Sequence, residues 1–543
     1  MSEYIIDRLR LLDNSILISD FRGNWYIPFS SAMFFWACSK SNPLYEKSIL
    51  ISFVLMLFLS LLLPSSVDAV VKKCRESRVL AVFSLLNSMG ICFANLYILW
   101  CIPFAWGYIP VLRLVFMVFG FPFVFVCNVF LWDKLSFVII SIINPSSIKT
   151  GEWILYCLIL LAVAAFATYA YIMSNAFYHM DIPYDIIYTS DSPMLLKDGS
   201  YFVIDTTQND IRQPLFGVFS APLIGISSLI AYTIPFIPSA LIFDYGQIFI
   251  IFIAMLMLTK ALKLTDLQRI CFMLVTSCSY MFLLSSFMME QYAIAVFWLI
   301  LTICLLCGNC KEASFASYAA CGTLLTSAVF IPFTSTYLSV RTIGKWFKDM
   351  ILRLFDLLLL MLLFCRFNTL IGAVDSLLFL TMFTGGSVKI SDRLCQFFKF
   401  IESIFVAPES GLFTGIYWNS WQMNKVTSIS IAGSVILAVA VVALIVTRKD
   451  KISRFAGVWI LISAVILIVV GWGTFENGLV LYTLYFGWAY LVLIMNLLKW
   501  ADSKYRTKFI TPLFTMAAMI CMLIVNIPAL KNLMDFAVTE FPA

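Results

Sequence analysis

The stretch Ile429–Thr447, ISIAGSVILAVAVVALIVT, carries no charged residue and runs straight into Arg448, Lys449, Asp450 and Lys451. About 20 mostly apolar residues are what a helix needs to cross a hydrocarbon layer of about 30 Å. Basic residues gather on the cytoplasmic flank of such helices, so this segment reads as a spanning helix that ends inside. Similar stretches recur along the chain, near 48–67, 79–105, 111–132, 153–173, 455–473, 478–498 and 509–527. Hydrophobic residues make up 62% of the 543 positions and charged residues only 12%, so the solvent for most of the chain is lipid. The reading is an all-α, polytopic transmembrane bundle of roughly 11–14 spanning helices. It divides into an N-terminal transmembrane block 1–150, a core 151–530 with external loops 174–213 and 386–428 bearing short interfacial helices, and an external tail 531–543.

The net charge of +6 does not point to nucleic acid, because the basic residues sit in short clusters between apolar stretches. Those clusters are Lys72, Lys73, Arg75 and Arg78; Lys260, Lys263 and Arg269; Arg448, Lys449, Lys451 and Arg454; and Lys499, Lys504, Arg506 and Lys508. With all four inside, parity puts 174–213, 386–428, 474–477 and the C-terminus outside. Two regions break parity. Residues 214–259 hold two apolar stretches around Pro235 and Pro238 where one crossing suffices, and 315–338 lies between basic residues on both sides. Both read as re-entrant or interfacial elements, the second broken near Pro332.

Fifteen cysteines fall almost entirely in apolar stretches, which gives no disulfide framework. Cys304, Cys307 and Cys310 have CxxCxxC spacing, but no histidine or second cysteine pair completes a tetrahedral metal set. Residues 7–22 mix both charge signs ahead of the short stretch 25–36, unlike a cleavable secretory signal. Arg366 and Asp375 lie in or near an apolar stretch and are candidates on that ground alone.

The loop 174–213 concentrates chemistry: Asp181, Asp185, Asp191, Asp198, Asp205 and Asp210 stand against Lys197 and Arg212, together with His179, the chain's one histidine. Most of these acids, taken singly, serve to solvate a loop. The order within the loop is specific, with Tyr188-Thr-Ser-Asp191-Ser-Pro, then Lys197-Asp-Gly199, then Asn209-Asp-Ile-Arg212-Gln213-Pro214-Leu215 entering the next apolar stretch. This arrangement resembles the first external loop of the GT-C superfamily, multi-spanning glycosyltransferases that use polyprenyl-phosphate sugars. The resemblance covers roughly 150–530 and makes Asp191 the counterpart of the family's loop acid, a catalytic base or metal-binding carboxylate. Two departures stand out: Asp-Ser replaces the usual acid pair, and Arg212-Gln213-Pro214 replaces His-Pro-Pro.

Two further segments resemble the same family. Met289-Glu290-Gln291-Tyr292 is a polar break between apolar helices, placed outside by parity, where family members carry an acid; a helix cap is the plainer reading of Glu290. Trp472-Gly-Thr-Phe-Glu476-Asn477, followed by Tyr482, Tyr485 and Trp488, resembles the late external segment that closes over the donor; an interfacial aromatic belt explains the tyrosines equally. The segment 389–405 reads as a basic amphipathic helix, with Arg393 and Lys399 suited to lipid headgroups or a polyprenyl phosphate.

The resemblance implies a transferase moving a sugar from a polyprenyl-phosphate donor to a lipid, glycan or protein acceptor at the outer face of a cell inner (plasma) membrane. Asp191 and Glu290 would be the catalytic carboxylates, Lys197 and Arg212 would meet the donor phosphate, and Glu476, Tyr482 and Tyr292 would contact substrate. No cofactor is expected, and the sequence leaves a divalent metal open. The rival readings are a transporter or flippase of lipid-linked saccharides, marked by charges along a midplane path, and a polymerase sharing the same donor.

Overall fold

The computed structural model describes residues 66–101, 110–177, 186–188, 212–234, 236–310, 313–334, 343–363, 388–414, 419–474 and 478–543, with isolated positions near 29–34 and 378–386. In chain order the elements are α1 Ser66–Glu76, α2 Arg78–Cys101, α3 Pro110–Ile143, α4 Thr150–Met173, α5 Phe216–Thr233, α6 Ser239–Ala261, α7 Asp266–Cys278, α8 Tyr280–Ser285, α9 Tyr292–Gly308, α10 Ala313–Thr323 and α11 Ile343–Leu363. Then follow α12 Ile390–Ser403, strands β1 Ser410–Thr414 and β2 Asn419–Met423, α13 Ile431–Thr447, α14 Lys451–Ala464, α15 Thr483–Lys504 and α16 Ile510–Glu540. The protein is an all-α helical bundle, with one short hairpin among the described residues. Among the described residues, five helical stretches are long and apolar enough to cross a membrane, namely 150–173, 239–261, 451–470, 478–504 and 510–540. It is a membrane protein.

The chain forms two compact units. One gathers 1–141, 198–239 and 317–376; the other gathers 142–197, 240–316 and 377–543. In the first, α2 packs along α5 so closely that a Cβ on Gly90 would sit 3.1 Å from the Gly225 carbonyl carbon. Small residues permit that approach, the usual device where lipid offers no hydrophobic drive between helices. The break expected at Pro332 falls earlier. Helix α10 stops at Thr323, and a 3-10 segment Leu325–Thr334 continues through Pro332. The chain entering α5 causes this: the Leu215 N–H donates to the Gly322 carbonyl at 2.7 Å, and the Leu325 N–H donates to the Arg212 carbonyl at 2.7 Å. With these groups drawn away, the i to i−4 ladder cannot continue.

In the second unit α15 is central: 83% of the apolar window in 478–504 is buried, against 22% for both α4 and α16. Trp459 on α14 donates its indole N–H to the Tyr485 carbonyl at 3.0 Å, and the Trp459 and Tyr485 rings meet edge to face at 5.1 Å. Helix α16 runs to Glu540, beyond the end expected near 527, and absorbs most of the tail. Its end is tied down, since Ser174 Oγ donates to the Ala537 carbonyl at 2.7 Å and the Asn175 amide to the Pro542 carbonyl at 2.6 Å.

Three of the basic clusters meet at one end of this unit. Lys499 bonds the Leu262 carbonyl, Gln268 bonds Asp502 at 2.9 Å, Asn496 bonds Asp450 at 2.7 Å and Lys451 bonds Asn309 at 2.7 Å. Arg269 of the second cluster is turned into the protein. It is 3% exposed and grips Glu152, also 3% exposed, through Nε to Oε2 at 2.8 Å and Nη2 to Oε1 at 2.7 Å.

Candidate functional site

The loop 386–428 folds into α12 and the β1–β2 hairpin, whose register pairs Thr414 with Asn419. The hairpin anchors the start of the acid-rich loop. The Trp421 N–H donates to the Ile186 carbonyl at 2.6 Å, and the Tyr188 N–H donates to the Trp421 carbonyl at 2.9 Å. Tyr188 adopts a left-handed φ of 51°, and its buried hydroxyl meets Tyr280 Oη at 2.9 Å and Ser410 Oγ at 2.8 Å. Burial pushes this phenol above its ordinary pKa, against the opposing pull of its hydrogen bonds, so it stays neutral.

The break between α8 and α9 is the second component. Its Phe287 ring stands edge-on to Phe166 at 5.3 Å and to Phe177 at 5.2 Å, and Met288, Met289, Glu290 and Gln291 are all buried. Non-helical backbone buried in this way must find its partners within the protein. Gln247 of α6 supplies them, donating from Nε2 to the Met288 carbonyl at 3.2 Å and accepting the Glu290 N–H on Oε1 at 2.9 Å. The same Nε2 donates to Asp244 Oδ1 at 3.0 Å. Counted along α6 at 1.5 Å per residue, Gln247 stands about 20 Å from Lys260 at the basic end. Glu290, bonded to Gln247, therefore lies well away from the basic end of α6.

An aromatic wall adjoins this acid. Tyr292 opens α9 and meets Tyr482 at 5.5 Å and Tyr485 at 6.2 Å between ring centroids. Trp472 donates its indole N–H to Tyr482 Oη at 2.8 Å. Gly473, with φ of 69°, presses on the Tyr482 ring so closely that a Cβ there would lie 2.8 Å from Cε2. The turn 471–474 is thus built against Tyr482.

Among the residues proposed from sequence, the structure brings Tyr292 against Tyr482, with Glu290 two positions before Tyr292. Asp191, Lys197, Glu476 and His179 lie outside the described residues, as do Arg366 and Asp375. Arg212 belongs to the first unit, where its carbonyl accepts from Leu325. Helix α12 forms as expected, but its cations are engaged by protein. Arg393 donates to the carbonyls of Val388, Gly386, Ile468 and Val469 and closes the π-helical end 465–470 of α14, while Lys399 pairs with Glu402 at 2.9 Å.

Sequence reasoning missed Asp244 and Gln247, both fully buried. The signal was available: an acid and an amide three positions apart inside a 23-residue apolar helix, where ionisable groups are functional candidates by default. Asp244 and Glu290, both joined to Gln247, are the carboxylates at this site. Among the described residues, no three His, Cys, Asp or Glu side chains gather closely enough to share a metal ion. No family model, curated protein or solved structure matches the chain.

Proposed function

We propose that the protein is a multi-pass glycosyltransferase of the polyprenyl-phosphate-dependent kind, acting at the outer face of a cell inner (plasma) membrane on a lipid, glycan or protein acceptor. The observation that carries this reading is Glu290, buried away from the basic end and beside the Tyr292–Tyr482 wall. In the transfer, a carboxylate, Asp191 or Glu290, takes the proton of the acceptor hydroxyl as its oxygen attacks the anomeric carbon. The bond from that carbon to the donor phosphate breaks, and the polyprenyl phosphate leaves with the electron pair. Lys197 would stabilise the departing charge, and Tyr292, Tyr482 and Glu476 would orient the sugar.

The test is transfer of radiolabelled sugar from polyprenyl-phosphate donors in membranes carrying the wild type, Asp191→Asn or Glu290→Gln. Loss of about 10²-fold or more in either variant supports the reading. Full transfer in both sinks it. A second reading, a transporter or flippase of lipid-linked saccharides, draws support from Asp244 and Gln247 inside an apolar helix. Flux across vesicles without chemical change to the lipid separates that reading, and product length on a gel separates a polymerase.

A further inference from the structure

We infer that Gln247 is the residue that fixes Glu290 in place. A buried break between helices exposes carbonyls and N–H groups that water does not reach, and the position of the break is set by whatever takes them. Here one amide takes a carbonyl and an N–H from the two residues flanking Met289. A carbonyl only accepts and a backbone N–H only donates, so Nε2 must face Met288 and Oε1 must face Glu290. The amide has a single workable orientation. Its second Nε2 hydrogen is directed to Asp244 Oδ1, one turn earlier on the same helix.

Each partner of Gln247 is therefore distinct, and all its neighbours in this network are buried. Gln247 itself has no exposed surface, so no solvent molecule stands in for a lost bond. Side chains attached to a freed backbone swing with it, and Glu290 and Tyr292 both lie at or just beyond the clamped peptide. Gln247 is a positioning residue: it acts on Glu290 through the backbone.

Two substitutions separate its functions. Gln247→Met keeps the length and removes all three bonds; Gln247→Glu keeps an acceptor for the Glu290 N–H but cannot, as a carboxylate, donate to Met288 or Asp244. The first readout is independent of the reaction. Dicyclohexylcarbodiimide, an apolar reagent for buried carboxylic acids, is applied to the full-length protein in detergent, and the peptide containing Glu290 is quantified by mass spectrometry. Both variants should change the labelling rate of Glu290 several-fold while eluting as the wild type does. If Gln247→Met does not fold, Gln247→Glu carries the test.

The second readout rests on the transferase reading. Both variants should lower kcat about 10- to 100-fold with KM little changed, the signature of a group displaced by the order of an ångström. Unchanged labelling together with unchanged kcat overturns the inference. Should Asp191→Asn and Glu290→Gln both transfer sugar at the wild-type rate, the functional reading fails, and the labelling rate still decides the role of Gln247.

Discussion

Replacing Arg269 by methionine removes one half of a bidentate pair from a site where neither partner reaches water. The side chains of Arg269 and Glu152 are 4% and 3% exposed, and the guanidinium makes two bonds to Glu152 of 2.8 and 2.7 Å and a third to Asp266 at 3.0 Å. Breaking such a pair leaves a buried charge, at a cost of about 3–5 kcal/mol. In Arg269→Met the stranded carboxylate of Glu152 keeps only the Tyr156 hydroxyl, at 3.3 Å, among its charge-stabilising bonds described here. In Glu152→Met the guanidinium retains Asp266, so that variant should fall in the lower half of the range. The double variant Glu152→Met/Arg269→Met removes both charges together and should cost less than either single change, because well-packed apolar replacements of buried pairs are often near neutral. The assay is unfolding of the purified protein by titration with a denaturing detergent, run as a double-mutant cycle. Single costs that simply add in the double variant, or fall below about 1 kcal/mol, would refute a desolvated pair and place these side chains in water.

Gly433→Ala places a methyl on the Phe398 carbonyl oxygen and 2.8 Å from the Phe398 carbonyl carbon, so α12 and α13 must separate. A cost of about 1–3 kcal/mol by the same titration is expected for such overpacking, and a neutral result would mean the two helices are not in backbone contact. Lys149 Nζ meets Asp266 Oδ2 at 2.7 Å, and the hydrogen bond from Lys149 is the main cause holding the Asp266 carboxyl below its usual pKa. Asp266 in turn raises the Lys149 ammonium above its ordinary value, chiefly through the same hydrogen bond. A depressed acid contributes stability above its unfolded pKa of about 3.9 and loses it as pH falls through the folded value. A raised amine contributes below about 10.4 and loses it as pH rises through its folded value. The stability difference between wild type and Lys149→Met should thus be flat through the neutral range and shrink at both extremes; a difference constant across pH would show that the two charges do not interact.

Hydropathy made most helices legible, because the run of apolar side chains is itself the property that places them in lipid. Basic clusters likewise located one end, and the bonds of Lys499 to Leu262 and of Asn496 to Asp450 bring together clusters that lie far apart in sequence. Pairing within a cluster was not legible. Arg269 counts as one more surface cation until Glu152, 117 positions away, is folded onto it. The hairpin was hidden for a different reason. Asn-Ser-Trp-Gln-Met at 419–423 lacks the β-branched alternation that marks a strand, and it is held partly by Ile187, which bridges Trp421 from another loop. Likewise Pro332 was the obvious local breaker, yet the α10 ladder ends where Leu215 and Arg212 claim its neighbouring backbone groups.

The candidate site was half legible for the same physical reason. Taken as a whole, 239–261 is strongly apolar, and that average conceals Asp244 and Gln247. Those are the positions that carry information, because a polar side chain is kept in an apolar helix only when another polar group meets it. The second unit repeats this logic at several breaks. Asn526, midway along α16, accepts the Ala407 N–H and donates to the Cys278 and Phe405 carbonyls, where α7 gives way to α8. Gln396 donates to the Thr474 carbonyl in the turn before α15, and Arg393 closes the end of α14. In each case an amide or guanidinium from one element replaces the helical bonds lost in another, since only groups with several donors or mixed polarity can serve two or three backbone atoms at once. At Gln247, Gln396 and Asn526 a buried amide of one element thus meets a break in another, and at Gln247 that break carries a buried acid.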